Sequence, residues 1–228
     1  MSAESPETLI RLTKEYKEGN FNPKQVAGFW QTAINFALEL SRTDYPKIVV
    51  PVCDRSEDEL LELKSQDRCM VYNPNLPLEI LTKAFLSSQP HTATYRMLHM
   101  AEFRDQFYHA GWVDVEAGLD SPYPGYSEPK LQDLFVSQGR AGQRFSTYLW
   151  FAYVSKLVSQ HYPDETGFSR LLGTNFKYGW DKEGQRLEEK DFVIVSFKQR
   201  EGLTIVKPAA LKKKDFVGGR SEGFKNIS

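Results

Sequence analysis

Cysteine is almost absent from this chain: two residues, Cys53 and Cys69, stand among 228. That number excludes a disulfide framework, and neither thiol has neighbours at zinc-site spacing. Both read as reduced, buried thiols, with Cys53 the one conceivable nucleophile and no base beside it. Long hydrophobic runs are missing too. Lys47–Val52 and Phe192–Val195 fall far short of the roughly 18 residues that suggest a membrane span, and the acidic start Met1–Glu7 has no apolar stretch of signal-peptide type. The expectation is a soluble, cytoplasmic protein with no membrane partner. Net charge is nearly absent at -1. No glycine-rich phosphate loop occurs either. Gly139–Arg144 offers backbone amides and two arginines ahead of a helix but lacks the lysine and hydroxyl of a P-loop. Leu172–Asn175 reads as a helix end, and Gly218-Gly219 as a hinge.

What is present is a core and a polarity of charge. Forty per cent of the residues are hydrophobic, enough to close an interior at this length. The first 87 residues carry ten Lys/Arg against thirteen Asp/Glu, whereas Leu187–Ser228 carries nine against six. A positive excess gathered at one end is a candidate contact for a polyanion or an acidic partner surface.

The periodicity predicts a helical start. Ser5-Pro6 opens a helix ending at Gly19-Asn20, and Asn22–Gln25 is a capping-box-like start for a second, with Val26, Phe29, Trp30, Ala33, Ile34, Ala37, Leu38 and Leu40 at helical spacing. Lys47–Val52 reads as a buried strand, Ser56–Glu59 as a capping box opening a helix to Lys64, and Arg68–Tyr72 as a strand. Together these form a short parallel crossover unit. Helices follow at about Leu78–Leu86 and Thr92–Ala110, then an extended Trp112–Glu116. Gly118–Pro129, rich in proline, reads as a long loop. An aromatic helix spans about Ala141–Gln160. From Asn175 the period becomes alternating, and Phe192–Lys198 with Leu203–Val206 flank a hairpin turn. The expected fold is α+β: a mostly helical body, the strand-helix-strand unit, and a C-terminal antiparallel hairpin or meander. The loop suggests two parts, 1–117 and 118–228, which could equally form one domain.

Four constellations could carry chemistry. On the helix expected at Thr92–Ala110, Tyr95, His99, Glu102, Gln106 and His109 share one stripe, and His99, Glu102 and His109 could reach one divalent metal. Asp114, Glu116 and Asp120 precede Glu128-Pro129-Lys130. With Asp114 or Asp120, Glu128 and Lys130 in an Asp…Glu-x-Lys order, that pattern suits a Mg²⁺-dependent nuclease, although Pro129 fits a strand poorly and the two acids Asp114 and Glu116 also suit a solvated strand edge. Phe168, Arg170, Phe176, Lys177, Tyr178, Trp180 and Lys182 could form an aromatic, basic platform for single-stranded nucleic acid, or be core. Last, Lys198, Arg200, Lys207, Lys212, Lys213, Lys214, Arg220 and Lys225 give the C-terminal hairpin and tail a phosphate-contacting character. The function this favours is a binding or assembly subunit with no cofactor. Lys177, Lys198, Arg200, Lys207, Lys212, Lys213, Lys214 and Arg220 would contact nucleic acid, a nucleoprotein complex or an acidic protein partner, and the metal-dependent nuclease is the alternative.

Overall fold

The computed structural model describes residues 14, 22–77, 80–81, 83–84, 102–105, 110–180, 186–187, 192–198, 202–206 and 217–225. Helix α1 (Pro23–Ser41) begins where Asn22 accepts from the backbone of Lys24 and Gln25 while the Gln25 side chain returns to the Asn22 N–H. It ends at Arg42, whose left-handed φ of 50° turns the chain away. Its buried stripe, Val26, Trp30, Ala33, Ile34 and Ala37, sits against the core. A second capping box, Ser56 with Glu59, opens α2 (Glu57–Ser65), whose first turn is acidic, as the helix dipole favours. Helices α3 (Glu128–Ser137) and α4 (Phe145–Ser159) follow.

Two sheets, and not a helical body, form the centre of the molecule. Sheet A has the order β1 (Arg68–Asn73), β3 (Gly111–Glu116), β10 (Ser221–Gly223), β4 (Ala141–Gly142). Sheet B runs β2 (Glu102–Asp105), β5 (Phe168–Trp180), β7 (Phe192–Lys198), β8 (Gly202–Val206), with β6 (Arg186–Leu187) and β9 (Val217–Gly219) also on β5. The expected mostly helical body is therefore overturned. Strands occupy residues 102–105, inside the helix expected at Thr92–Ala110, and β5 already starts at Phe168. Gly173 lies within β5, where its missing side chain lets the backbone of Gly142–Arg144 approach closely. It is not a helix end.

The parallel crossover unit is also absent. Residues 43–53 form no strand, and β1 pairs antiparallel with β3, from Arg68 opposite Glu116 to Asn73 opposite Gly111. The reason is local. The Gln31 carboxamide binds the Ile48 carbonyl at 2.9 Å and the Val50 N–H at 2.8 Å, doing a strand's hydrogen bonding from a helix, and Pro46 and Pro51 supply no ladder donors. The other expectations for α1, α2, β1, β3 and the β7–β8 hairpin agree with the structure.

Sheet A takes two strands from before residue 117 and two from after it. The segment 217–223 joins the sheets. It runs parallel to β5 through β9, and after Arg220 becomes β10, between β3 and β4. Gly218 is no hinge: a β-carbon there would collide with the Pro122 carbonyl, and one at Gly219 would lie 2.6 Å from Leu131 Cδ1. Glycine is required by close packing. Helices α1, α2 and α4 pack on β1, and α4 also meets β2 and β5, so α4 is the shared floor of the main core.

Candidate functional site: an apolar cavity framed by buried ion pairs

Along α4, residues 151, 154, 155, 158 and 159 recur at helical spacing and present one stripe. That stripe, with Val26, Phe29 and Trp30 of α1, Cys69 and Met70 of β1, and Ala117 and Leu119 beyond β3, encloses a cavity of about 300 Å³. Its floor is buried: Val26, Trp30, Met70, Phe151, Val154 and Ser155. Its rim is more open, with Phe29, Val158 and Ser159 half-buried and Leu119 37% exposed, which marks where a molecule would enter.

The wall carries few polar atoms, and its donors are engaged. The Trp30 indole N–H donates to the Met70 carbonyl at 3.0 Å, Ser155 Oγ to the His161 carbonyl at 3.1 Å, and Ser159 Oγ to the Ser155 carbonyl at 2.7 Å. The Cys69 thiol is pushed up to about 12, first by desolvation and then by Asp114. It is a neutral group on an apolar surface. Cys53 is likewise pushed up to about 11 by burial, which removes the thiolate a nucleophile needs.

Behind this wall lies a layer of buried charge. Arg220, fully buried, spreads its guanidinium 5.5 Å from the Phe151 ring and holds Asp164 through Nε at 3.1 Å and Nη2 at 3.0 Å. The same group donates to the carbonyls of Glu116, Gly118 and Asp120 at 3.2, 2.9 and 3.2 Å. Asp164 in turn receives the Tyr148 hydroxyl at 3.0 Å, and its own N–H binds the Leu119 carbonyl at 2.6 Å. The cavity rim at residues 117–119 is thus tied down from both sides. Burial, first, and the Asp164 charge, second, raise the Tyr148 phenol well above its ordinary range, so it stays a donor.

Two further pairs close the layer. Arg140 binds the Asp114 carboxylate and donates to its carbonyl at 3.2 Å, with Arg55 Nη2 3.6 Å from the same carboxylate. Arg144 Nε meets Glu222 at 2.6 Å. Desolvation nevertheless pushes Glu222 up to about 7, against the opposing pull of Arg144 and Thr147. Glu116 accepts from the Ser221 N–H at 2.9 Å and from its hydroxyl.

This layer revises the sequence-based sites. Arg220 cannot meet a phosphate backbone, because it is inside the protein and bound to Asp164. Arg140 and Arg144 are occupied in the same way and offer no phosphate cradle. Asp114 and Glu116 are buried, not a solvated edge. Guanidinium groups stand where a cation on Asp114 would have to be. Asp120 accepts from Thr166 at 2.7 Å, Glu128 opens α3, and Lys130 Nζ rests 3.8 Å from the Tyr126 ring centroid, so Glu128-Pro129-Lys130 is a helix start. Among the described residues no group of three or more His, Cys, Asp or Glu is placed to hold a metal ion. Glu102 lies on β2 opposite Tyr178, not on a helix, and His99 and His109 lie outside the described residues. Lys177 and Lys198 have their backbones in β5 and β7, their side chains lying outside the description. Arg200, Lys207, Lys212, Lys213 and Lys214 lie outside it too.

Sequence reasoning recognised the apolar stripe of α1 and an aromatic helix at α4 but not the space between them, which depends on how the two helices are spaced over β1. The buried ion pairs had one signal: Arg220-Ser221-Glu222 is flanked by Gly218-Gly219 and Gly223, small residues that let a charged strand lie inside a sheet. No helix among the described residues is long and apolar enough to cross a membrane. Comparison with protein-family models, with curated proteins and with solved structures finds no match.

Proposed function

We propose that this chain is a binding protein whose α1–α4–β1 cavity takes up a small, uncharged, apolar molecule. The cavity itself carries the reading. Its volume of about 300 Å³ is at the lower end of ligand pockets. It is also about twice the ~150 Å³ apolar cavity that stays dry and accepts benzene in another protein. A binding role was expected from sequence for a different ligand. Of the cations in that reading, Arg220 is consumed internally, Arg200, Lys207, Lys212, Lys213 and Lys214 lie outside the described residues, and so do the side chains of Lys177 and Lys198.

Titration calorimetry at several temperatures with three neutral molecules, 1-decanol, 1-adamantanol and naphthalene, tests the proposal. At least one binds with unit stoichiometry and a negative heat-capacity change, the mark of apolar burial. Val154→Trp, which fills the floor, weakens that binding tenfold or more without lowering the unfolding midpoint. No binding by any of the three, or equal binding by Val154→Trp, defeats the proposal.

A further inference from the structure

On the reading that the cavity is a ligand site, part of its rim is set by a side chain that lies outside its lining. Ala117 and Leu119 line the cavity and belong to residues 117–120, which follow the last residue of β3 and lie in no strand or helix. A segment without a ladder of its own keeps its shape through the individual partners of its backbone. The Ala117 N–H donates to the Asp67 carbonyl at 2.8 Å, and the Asp164 N–H donates to the Leu119 carbonyl at 2.6 Å. Arg220 takes the alternate carbonyls: Glu116 from Nη1, and Gly118 and Asp120 from Nη2. Its Nε and Nη2 also hold the two carboxylate oxygens of Asp164. Five acceptor atoms thus converge on one planar fork, which is fully buried and 5.5 Å from the ring centroid of Phe151 in the cavity floor. Lysine carries the same charge on a single nitrogen with three donors, so it serves at most three of the five. Charge and fork shape are therefore separable at this position by substitution.

We infer that Arg220 is a positioning residue for the binding site. By pinning the carbonyls of Glu116, Gly118 and Asp120 it holds Ala117 and Leu119 against the occupant, so the affinity of the cavity depends on a segment 100 residues beyond its rim. Three variants test this by calorimetry, at a temperature where circular dichroism shows each folded. The probe is whichever of 1-decanol, 1-adamantanol and naphthalene binds the wild type most tightly. Arg220→Lys keeps a cation opposite Asp164, so its unfolding midpoint falls less than that of Arg220→Met. Its dissociation constant nevertheless rises about tenfold or more, as in Arg220→Met, because the apolar contact of Leu119 is released in both. Phe135→Leu, in the separate cluster of Leu131, Phe135 and Leu172, lowers the midpoint and leaves the dissociation constant within threefold of the wild type. A smaller loss of affinity in Arg220→Lys overturns the inference, since the cation alone is then sufficient. A larger effect of Phe135→Leu also overturns it, since affinity then merely follows stability. If Arg220→Met does not fold, Arg220→Lys set against Phe135→Leu still decides. Failure of the wild type to bind any of the three molecules is a different result: it removes the cavity reading itself, and this inference with it.

Discussion

Replacing Arg220 by methionine removes the guanidinium and leaves an apolar side chain of similar length. Asp164 then keeps its Tyr148 and backbone partners but loses two charged hydrogen bonds, and the carbonyls of Glu116, Gly118 and Asp120 lose a common donor. Breaking a buried pair by removing one partner costs about 3–5 kcal/mol, most of it the uncompensated charge left behind. Against a total stability of roughly 5–15 kcal/mol, that is a large fraction. With a urea m-value of about 3 kcal/mol/M for a chain of this size, the denaturation midpoint falls by at least about 1 M, followed by tryptophan emission and far-ultraviolet circular dichroism. The second half of the cycle discriminates between explanations. If charge imbalance is the cause, Asp164→Asn recovers at least half of the loss when added to Arg220→Met, although Asp164→Asn alone destabilises the wild type. The coupling energy, that recovery plus the cost of Asp164→Asn alone, then exceeds about 2 kcal/mol. A cost under about 1 kcal/mol for Arg220→Met, or no recovery in the double variant, refutes the reasoning.

Two other outcomes follow from the same burial. Glu222 has its carboxyl raised from 4.5 to about 7 in the folded protein, mainly by desolvation, so its contribution to stability is full below about 4.5 and is lost as pH rises through about 7. Melting temperature across that window therefore falls more steeply in the wild type than in Glu222→Gln, and parallel profiles reject the assignment. Cys53 and Cys69, held up at about 11 and about 12, react with iodoacetamide at pH 8 at least about a hundredfold more slowly in the folded protein than in urea. A fast native thiol contradicts that.

Elements whose cause is local were readable in the chain. Both capping boxes, Asn22–Gln25 and Ser56–Glu59, are spelled by side chains three residues apart and reappear as hydrogen bonds. The β7–β8 hairpin has its alternation and its turn within one short stretch. Elements whose cause is distant were not. Lys47–Val52 has the composition of a strand, but Gln31, 17 and 19 residues away, satisfies its backbone. Asp114 and Glu116 look solvated until Arg140 and Ser221 arrive from 26 and 105 residues further along. The basic, glycine-containing stretch around Arg220 resembles a tail for the same reason: its carboxylate partner is 56 residues upstream. Of the site, the apolar stripe of α1 and the aromatic character of α4 were legible and the cavity between them was not.

The position of β10 bears on how this polypeptide is made. Strand β3 waits 105 residues, from Glu116 to Ser221, for the neighbour that covers its inner edge. At 5–20 residues per second that interval is roughly 5–20 s on the ribosome. Through it the nascent chain displays an open, valine-bearing strand margin able to recruit any passing extended segment. A chaperone that holds such margins, present during translation, raises the soluble yield of this chain more than it would for a protein whose sheets are knit from adjacent hairpins.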